Sequence, residues 1–155
     1  MGNPPTPAFN NTREGRAIEI PSAGMHTNAR SMAKVNAAMA GDGSIGGVRL
    51  LSKEGVDRAM SNSKDVLDVA LSTRFAFTQG GFCNFEEMHA EDGMVHEDDP
   101  AAFAGFAGWG GLGGSISTWN REQNVGFSYT MNGMSNYLLG GPRTRAILLE
   151  VQKAL

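Results

Sequence analysis

Six of the ten residues from Gly105 to Gly114 are glycine: Gly105, Gly108, Gly110, Gly111, Gly113 and Gly114. So dense a run serves backbone geometry. It reads as backbone that another chain segment or a ligand must approach closely. The chain holds 21 glycines in 155 residues, close to twice the usual roughly 7 %. Six scattered prolines without a period exclude collagen or a linker as the reason. With 41 % hydrophobic and 19 % charged residues the composition is globular, and the length is that of one ordinary domain.

Electrostatics and cysteine usage narrow the function further. A net charge of −3 gives no footprint for a nucleic-acid backbone or an anionic membrane, so neither is expected as a partner. Cys83 is the sole cysteine, which excludes an internal disulfide and fits a reducing compartment. The first thirteen residues carry Pro4, Pro5 and Pro7 instead of a basic start and apolar run, and no apolar stretch approaches the roughly 18 residues of a membrane helix. A cytoplasmic location is therefore expected. Asn10-Asn11-Thr12 is read as a chance glycosylation match.

Residues 1–20 read as an irregular lead-in, with order beginning near Ser22. Ala29, Met32, Ala33, Ala37 and Ala40 recur at helical spacing and Gly41-Asp42-Gly43 stops them, predicting a helix over 27–40. Ser52 is the expected N-cap of a second helix through Met60. Phe75 and Phe77 suggest a strand over 72–79, ended by Gly80-Gly81. Residues 86–99 collect seven of the sixteen acids and read as a solvated acidic loop. Val125, Phe127, Tyr129 and Met131 alternate with small residues, predicting a strand that pairs in a hairpin with one over Leu112–Trp119 through Asn120–Asn124. A last helix from Pro142 sets Ile147, Leu148, Val151 and Leu155 on one stripe. The order predicts an α+β fold with an antiparallel sheet of about three strands, short for this length.

Several candidate chemistries fail on context. Gly108-Trp109-Gly110-Gly111-Leu112-Gly113 satisfies G-x-G-x-x-G, but a strand follows it and no acid occurs between Gln123 and Leu149, so dinucleotide binding is rejected. No lysine follows the glycines, which removes a phosphate loop. His89 and His96 among the acids fit neither zinc nor calcium spacing; no metal or cofactor is expected. Cys83, between Phe82 and Phe85, reads as a buried small apolar residue, and Trp119 and Phe127 as packing residues. His26 reads as a helix-entry or hydrogen-bonding residue. Trp109 has two readings, a substrate-facing wall or a core filler beside small residues.

The run Ala107-Gly108-Trp109-Gly110-Gly111-Leu112-Gly113-Gly114-Ser115, followed by Val125-Gly126-Phe127-Ser128-Tyr129-Thr130-Met131-Asn132, resembles the last third of the serine β-lactamase-related family. That family spans class C β-lactamases, penicillin-binding DD-peptidases, carboxylesterases of the same fold and animal β-lactamase-like proteins. The segment Glu19 to Lys34 also resembles the family's entry to a helix of its helical region. The resemblance covers residues 17–155 and implies a partial β-lactamase/transpeptidase-like fold, with 21–155 the C-terminal portion of a larger domain. It implies that Trp109, Gly110 and Gly111 stand where the family has its third active-site motif. Leu112 would then supply a backbone N–H to the oxyanion hole.

The resemblance further implies acyl transfer on a small ester or amide by a serine that this stretch does not carry. The family's Ser-x-x-Lys and Tyr-x-Asn belong upstream, and the strings Ser31-Met32-Ala33-Lys34 and Ser61-Asn62-Ser63-Lys64 fall elsewhere. Both serines are read as helix-surface or loop residues, Tyr129 and Tyr137 offer no substitute base, and the chain alone is expected to be inactive. Trp109 in place of a lysine or histidine removes a cationic or titratable group, leaning towards neutral esters. A non-catalytic interaction protein reusing the fold is the alternative. An uncovered sheet edge would favour self-association.

Overall fold

The computed structural model describes residues 7–88, 100–137 and 139–155. The acidic stretch from His89 to Asp99, including His96, lies outside the described residues. The expected irregular lead-in is corrected by two short helices, α1 (Pro7–Asn10) and α2 (Arg13–Ala17). Thr12 explains them: its hydroxyl donates to Phe9 O at 2.8 Å and accepts from Gly15 N at 3.0 Å, closing one helix and capping the next. His26 reaches back to Asn10 O at 3.0 Å, tying this lead-in to the entry of the main helix.

That helix, α3 (Ala29–Ala40), begins at Asn28, whose side chain accepts from Ser31 N at 2.9 Å. A cap of this kind contributes about 1 kcal/mol. Beyond the small hairpin of β1 (Ser44–Ile45) and β2 (Val48–Arg49), α4 (Lys53–Met60) starts at the expected Ser52 cap, which accepts from Gly55 N at 3.0 Å.

The sheet is larger than the sequence suggests. Among the described residues six antiparallel strands follow one another in chain order: β3 (Lys64–Asp68), β4 (Thr73–Phe77), β5 (Cys83–Asn84), β6 (Phe106–Gly111), β7 (Ser115–Asn120) and β8 (Val125–Tyr129). The β7–β8 hairpin is the one anticipated, with Asn120 opposite Val125. The strand expected over Leu112–Trp119 is corrected, because Leu112–Gly114 form the turn between β6 and β7. Gly113 and Gly114 have φ of 99° and 106°, values outside the extended region. Strands β3, β5 and β6 escaped the sequence reading. Charged ends blur β3, β5 has two residues, and glycines strip β6 of the β-branched signature.

Each face of the sheet carries a core. On one, Phe75, Phe85, Phe103, Phe106, Ile116 and Leu148 pack together; on the other, Met39, Ala40 and Val56 meet Ala107 and Trp119. Trp119 is buried edge-on to Phe82, at 4.8 Å between centroids, and Cys83 is fully buried, as expected for both. The terminal helix α5 (Pro142–Ala154) forms where anticipated, but its stripe is rotated. Thr144 and Leu148 are buried while Ile147 and Leu155 are exposed. The Thr144 hydroxyl, 3.0 Å from Gly114 O, docks the first turn of α5 on the β6–β7 turn and sets that rotation.

Candidate functional site

Strand β6 carries the residues singled out in the sequence. Along one edge it pairs with β7 over its full length, Trp109 opposite Ser117 and Gly111 opposite Ser115. Along the other edge β5 pairs only with Ala107 and Gly108. From Trp109 to Gly111 that second edge has no paired strand among the described residues; Trp109 is exposed there, Gly111 half-buried and Gly110 buried. Gly108 keeps β6 against β7: a Cβ there would lie 2.1 Å from Ser117 O and 2.7 Å from Thr118 Cα, at a φ of 150°.

The turn that ends β6 is held from two sides. Gly113 N donates to Tyr137 O at 2.9 Å, while Ser135 N and the Ser135 hydroxyl donate to Gly113 O at 2.9 and 2.8 Å. Gly114 O receives the Thr144 hydroxyl from α5. Leu112 rides on this clamped turn, 67 % exposed, and no backbone group among the described residues accepts its N–H. Behind the turn a cavity of about 190 Å³ is lined by Gly114, Tyr129, Ser135, Tyr137 and the start of α5.

Trp109 combines both of its sequence readings. Its ring stacks on Phe77 at 5.7 Å and leans on Phe75 at 5.6 Å, yet 39 % of the residue is exposed. The structure thus brings Trp109, Gly110, Gly111 and Leu112 together on one strand end and its turn. It adds Phe75 and Phe77, whose alternation was visible in the sequence although their cross-sheet neighbour was not.

Neither Ser-x-x-Lys string forms a dyad; among the described residues no hydrogen bond joins either serine to its lysine. Ser31 and Lys34 are exposed on α3. The Ser61 hydroxyl donates to Arg58 O at 2.8 Å at the end of α4, and Lys64 opens β3 opposite Phe77. Burial pushes the Cys83 thiol far above its ordinary range, which leaves it protonated and a poor nucleophile.

Sequence reasoning missed Asn36, a buried polar residue of α3. It donates to Phe127 O at 2.6 Å and accepts from the Ser117 hydroxyl at 2.9 Å, pinning the helix to β7 and β8. Asp57 does the same for α4, accepting from Lys53 at 2.7 Å and from Arg121 beside the β7–β8 hairpin at 2.6 Å. Those hydrogen bonds hold its carboxyl below the usual range. No helix among the described residues is long and apolar enough to cross a membrane.

No protein-family model matches the chain, and no curated protein sequence matches it significantly. Solved structures do. A family VIII carboxylesterase is 28 % identical with a TM-score of 0.72, over 95 % of this chain and 36 % of its own. A penicillin-binding protein homolog from Caulobacter crescentus is 25 % identical with a TM-score of 0.76, over 97 % of this chain and 38 % of its own. The resemblance to the serine β-lactamase-related proteins thus holds in three dimensions, as a partial α+β fold of that type. The chain spans little more than a third of the length of either solved relative.

Proposed function

We propose that the chain is the C-terminal portion of a β-lactamase-related serine hydrolase and provides one wall of its acyl-transfer site. The reading is supported most by the strand edge of β6, which continues past its last β5 partner, Gly108, into Trp109-Gly110-Gly111 and the exposed turn at Leu112. In the reaction, a serine from the remainder of the fold attacks an ester carbonyl and its proton passes to a base there. The carbonyl oxygen becomes an oxyanion, the alcohol leaves, and water releases the acyl group. The part assigned to this chain is to present the Leu112 N–H to that oxyanion from a turn that does not have to reorganise. One such donor contributes about 100- to 1000-fold in kcat. An uncharged wall at Trp109 suits a neutral ester better than a carboxylate-bearing β-lactam or peptide. Without nucleophile and base the chain alone is inactive.

Two measurements test this. A fluorophosphonate probe is expected to leave the purified chain unlabelled; stoichiometric labelling that disappears in Ser31→Ala or Ser61→Ala overturns the inactivity. Grafting residues 106–115 into the matching strand and turn of the family VIII carboxylesterase is expected to preserve ester hydrolysis. A folded graft that loses it while keeping its reactive serine refutes the wall.

A further inference from the structure

The three rings beside this wall form a surface with a geometry of its own. The centroid separations of Phe75–Phe77, Phe75–Trp109 and Phe77–Trp109 are 5.1, 5.6 and 5.7 Å. In a column of stacked rings the outer pair would stand much farther apart than the inner ones. Three near-equal separations mean staggered tiles. The interplanar angles of 19°, 32° and 24° keep the rings nearly co-oriented. Such an offset stack, with Trp109 outermost, is unlike the box of facing rings that encloses a quaternary ammonium group.

The tiles are graded in exposure. Phe75 is buried at 1 %, Phe77 is half-buried and Trp109 stands 39 % open. The indole therefore rests on a fixed support, and a ligand stacking on it need not freeze a loose side chain. Charge argues against an anionic ligand: the chain carries no Lys or Arg from Phe75 to Asn120. The charged register neighbour of the tiles is Lys64, exposed opposite Phe77 on β3. The open β6 edge and the Leu112 turn follow immediately along the strand from Trp109.

We propose that Trp109, supported by Phe75 and Phe77, is the stacking platform for a planar aromatic group of the ester, making an aryl ester the preferred substrate class. The proposal rests on the hydrolase reading for the word substrate, but the platform is measurable as binding alone. An aromatic ring laid at stacking distance on the indole adds selectivity beyond its buried area, whereas a flexible alkyl chain gains only burial.

The test is equilibrium binding to the full chain, followed by ligand-observed NMR or calorimetry, with 2-naphthyl acetate as the probe. Hexyl acetate is the non-planar control and acetylcholine the cationic one. Expected are saturable naphthyl binding, loss of about three- to tenfold affinity in Trp109→Ala, and retention of most of it in Trp109→Phe. Phe77→Ala, which removes a half-buried tile, gives a second reading should Trp109→Ala fail to keep the native circular dichroism spectrum; it too is expected to weaken binding. The proposal is overturned by absent naphthyl binding to the folded chain, or by unchanged affinity in both alanine variants. It is equally overturned if hexyl acetate or acetylcholine depends on Trp109 as strongly as the naphthyl ester does. Turnover plays no part in this readout. An inactive graft with an intact platform therefore sinks only the hydrolase reading, and an active graft without Trp109-dependent binding sinks only the platform.

Discussion

The contact of α3 with β8 has no slack at Gly126, which makes Gly126→Ala a sharp perturbation of the fold that carries the site. A Cβ built there lies 2.2 Å from Ala37 N, 2.6 Å from Asn36 C and 2.7 Å from Ala33 O. All three are backbone atoms, so no side chain can swing aside. Ordinary carbon contacts need about 3.5–4.0 Å, and the helix has to withdraw by roughly 1 Å or more. Such overpacking costs about 1–3 kcal/mol. The withdrawal also stretches the bonds of Asn36 to Phe127 O and the Ser117 hydroxyl, now 2.6 and 2.9 Å, at about 1 kcal/mol for each one lost. Alanine returns about 0.4–1 kcal/mol by stiffening the unfolded chain. The expected net loss is about 2–4 kcal/mol, a midpoint lower by roughly 5–15 °C for a chain of this size. Thermal and urea unfolding followed by circular dichroism measure it, against Gly133→Ala, where nothing lies within 4 Å of the added carbon. If the two variants unfold together, the close approach of α3 to β8 is wrong.

Two further outcomes follow from charge. Asp42 accepts from the Ser44 hydroxyl and pairs with Arg49 at 3.0 Å, and these bonds lower its pKa from 3.8 to about 2. A depressed carboxylate pKa stabilises the folded form above pH 3.8, and that contribution is lost as pH falls towards 2. Amide protection at Ser44, Leu50 and Leu51 should fall across this window in the wild type and be flat in Asp42→Asn; a flat wild-type profile would contradict the pairing. The two sheet edges differ as well. β3 carries Lys64, Asp65 and Asp68, whereas Val125–Tyr129 of β8 has no charge to deter another strand. Concentration-dependent association is expected in light scattering, reduced by Val125→Lys, and a monomer at every concentration would refute it.

Local chemistry and spacing in the amino-acid sequence alone determined α3, α4, α5 and the β7–β8 hairpin. Asn28 and Ser52 each cap the helix on their C-terminal side, Pro142 suits only a first turn, and the alternation of Val125, Phe127 and Tyr129 has one extended solution. The glycine run likewise marked the candidate site, although not as a strand, and the motif Trp109-Gly110-Gly111 pointed to the partial fold that the solved relatives share. The features left to the tertiary structure involve partners distant in sequence. A two-residue β5 forms because β4 and β6 flank it; nothing within Cys83–Asn84 encodes it. The stripe of α5 turned away from Ile147 because Thr144 found Gly114 O, a bond across 30 positions. Asn36 is polar on an apolar helix face, and its use appears only when Phe127 O and Ser117 arrive beside it. Trp109 could be read as wall or core, and the fold made it both by setting Phe75 and Phe77 beneath a ring that still meets solvent. Periodicity and capping act over a few residues and are legible in one dimension; register across a sheet and the docking of a helix depend on which surfaces meet.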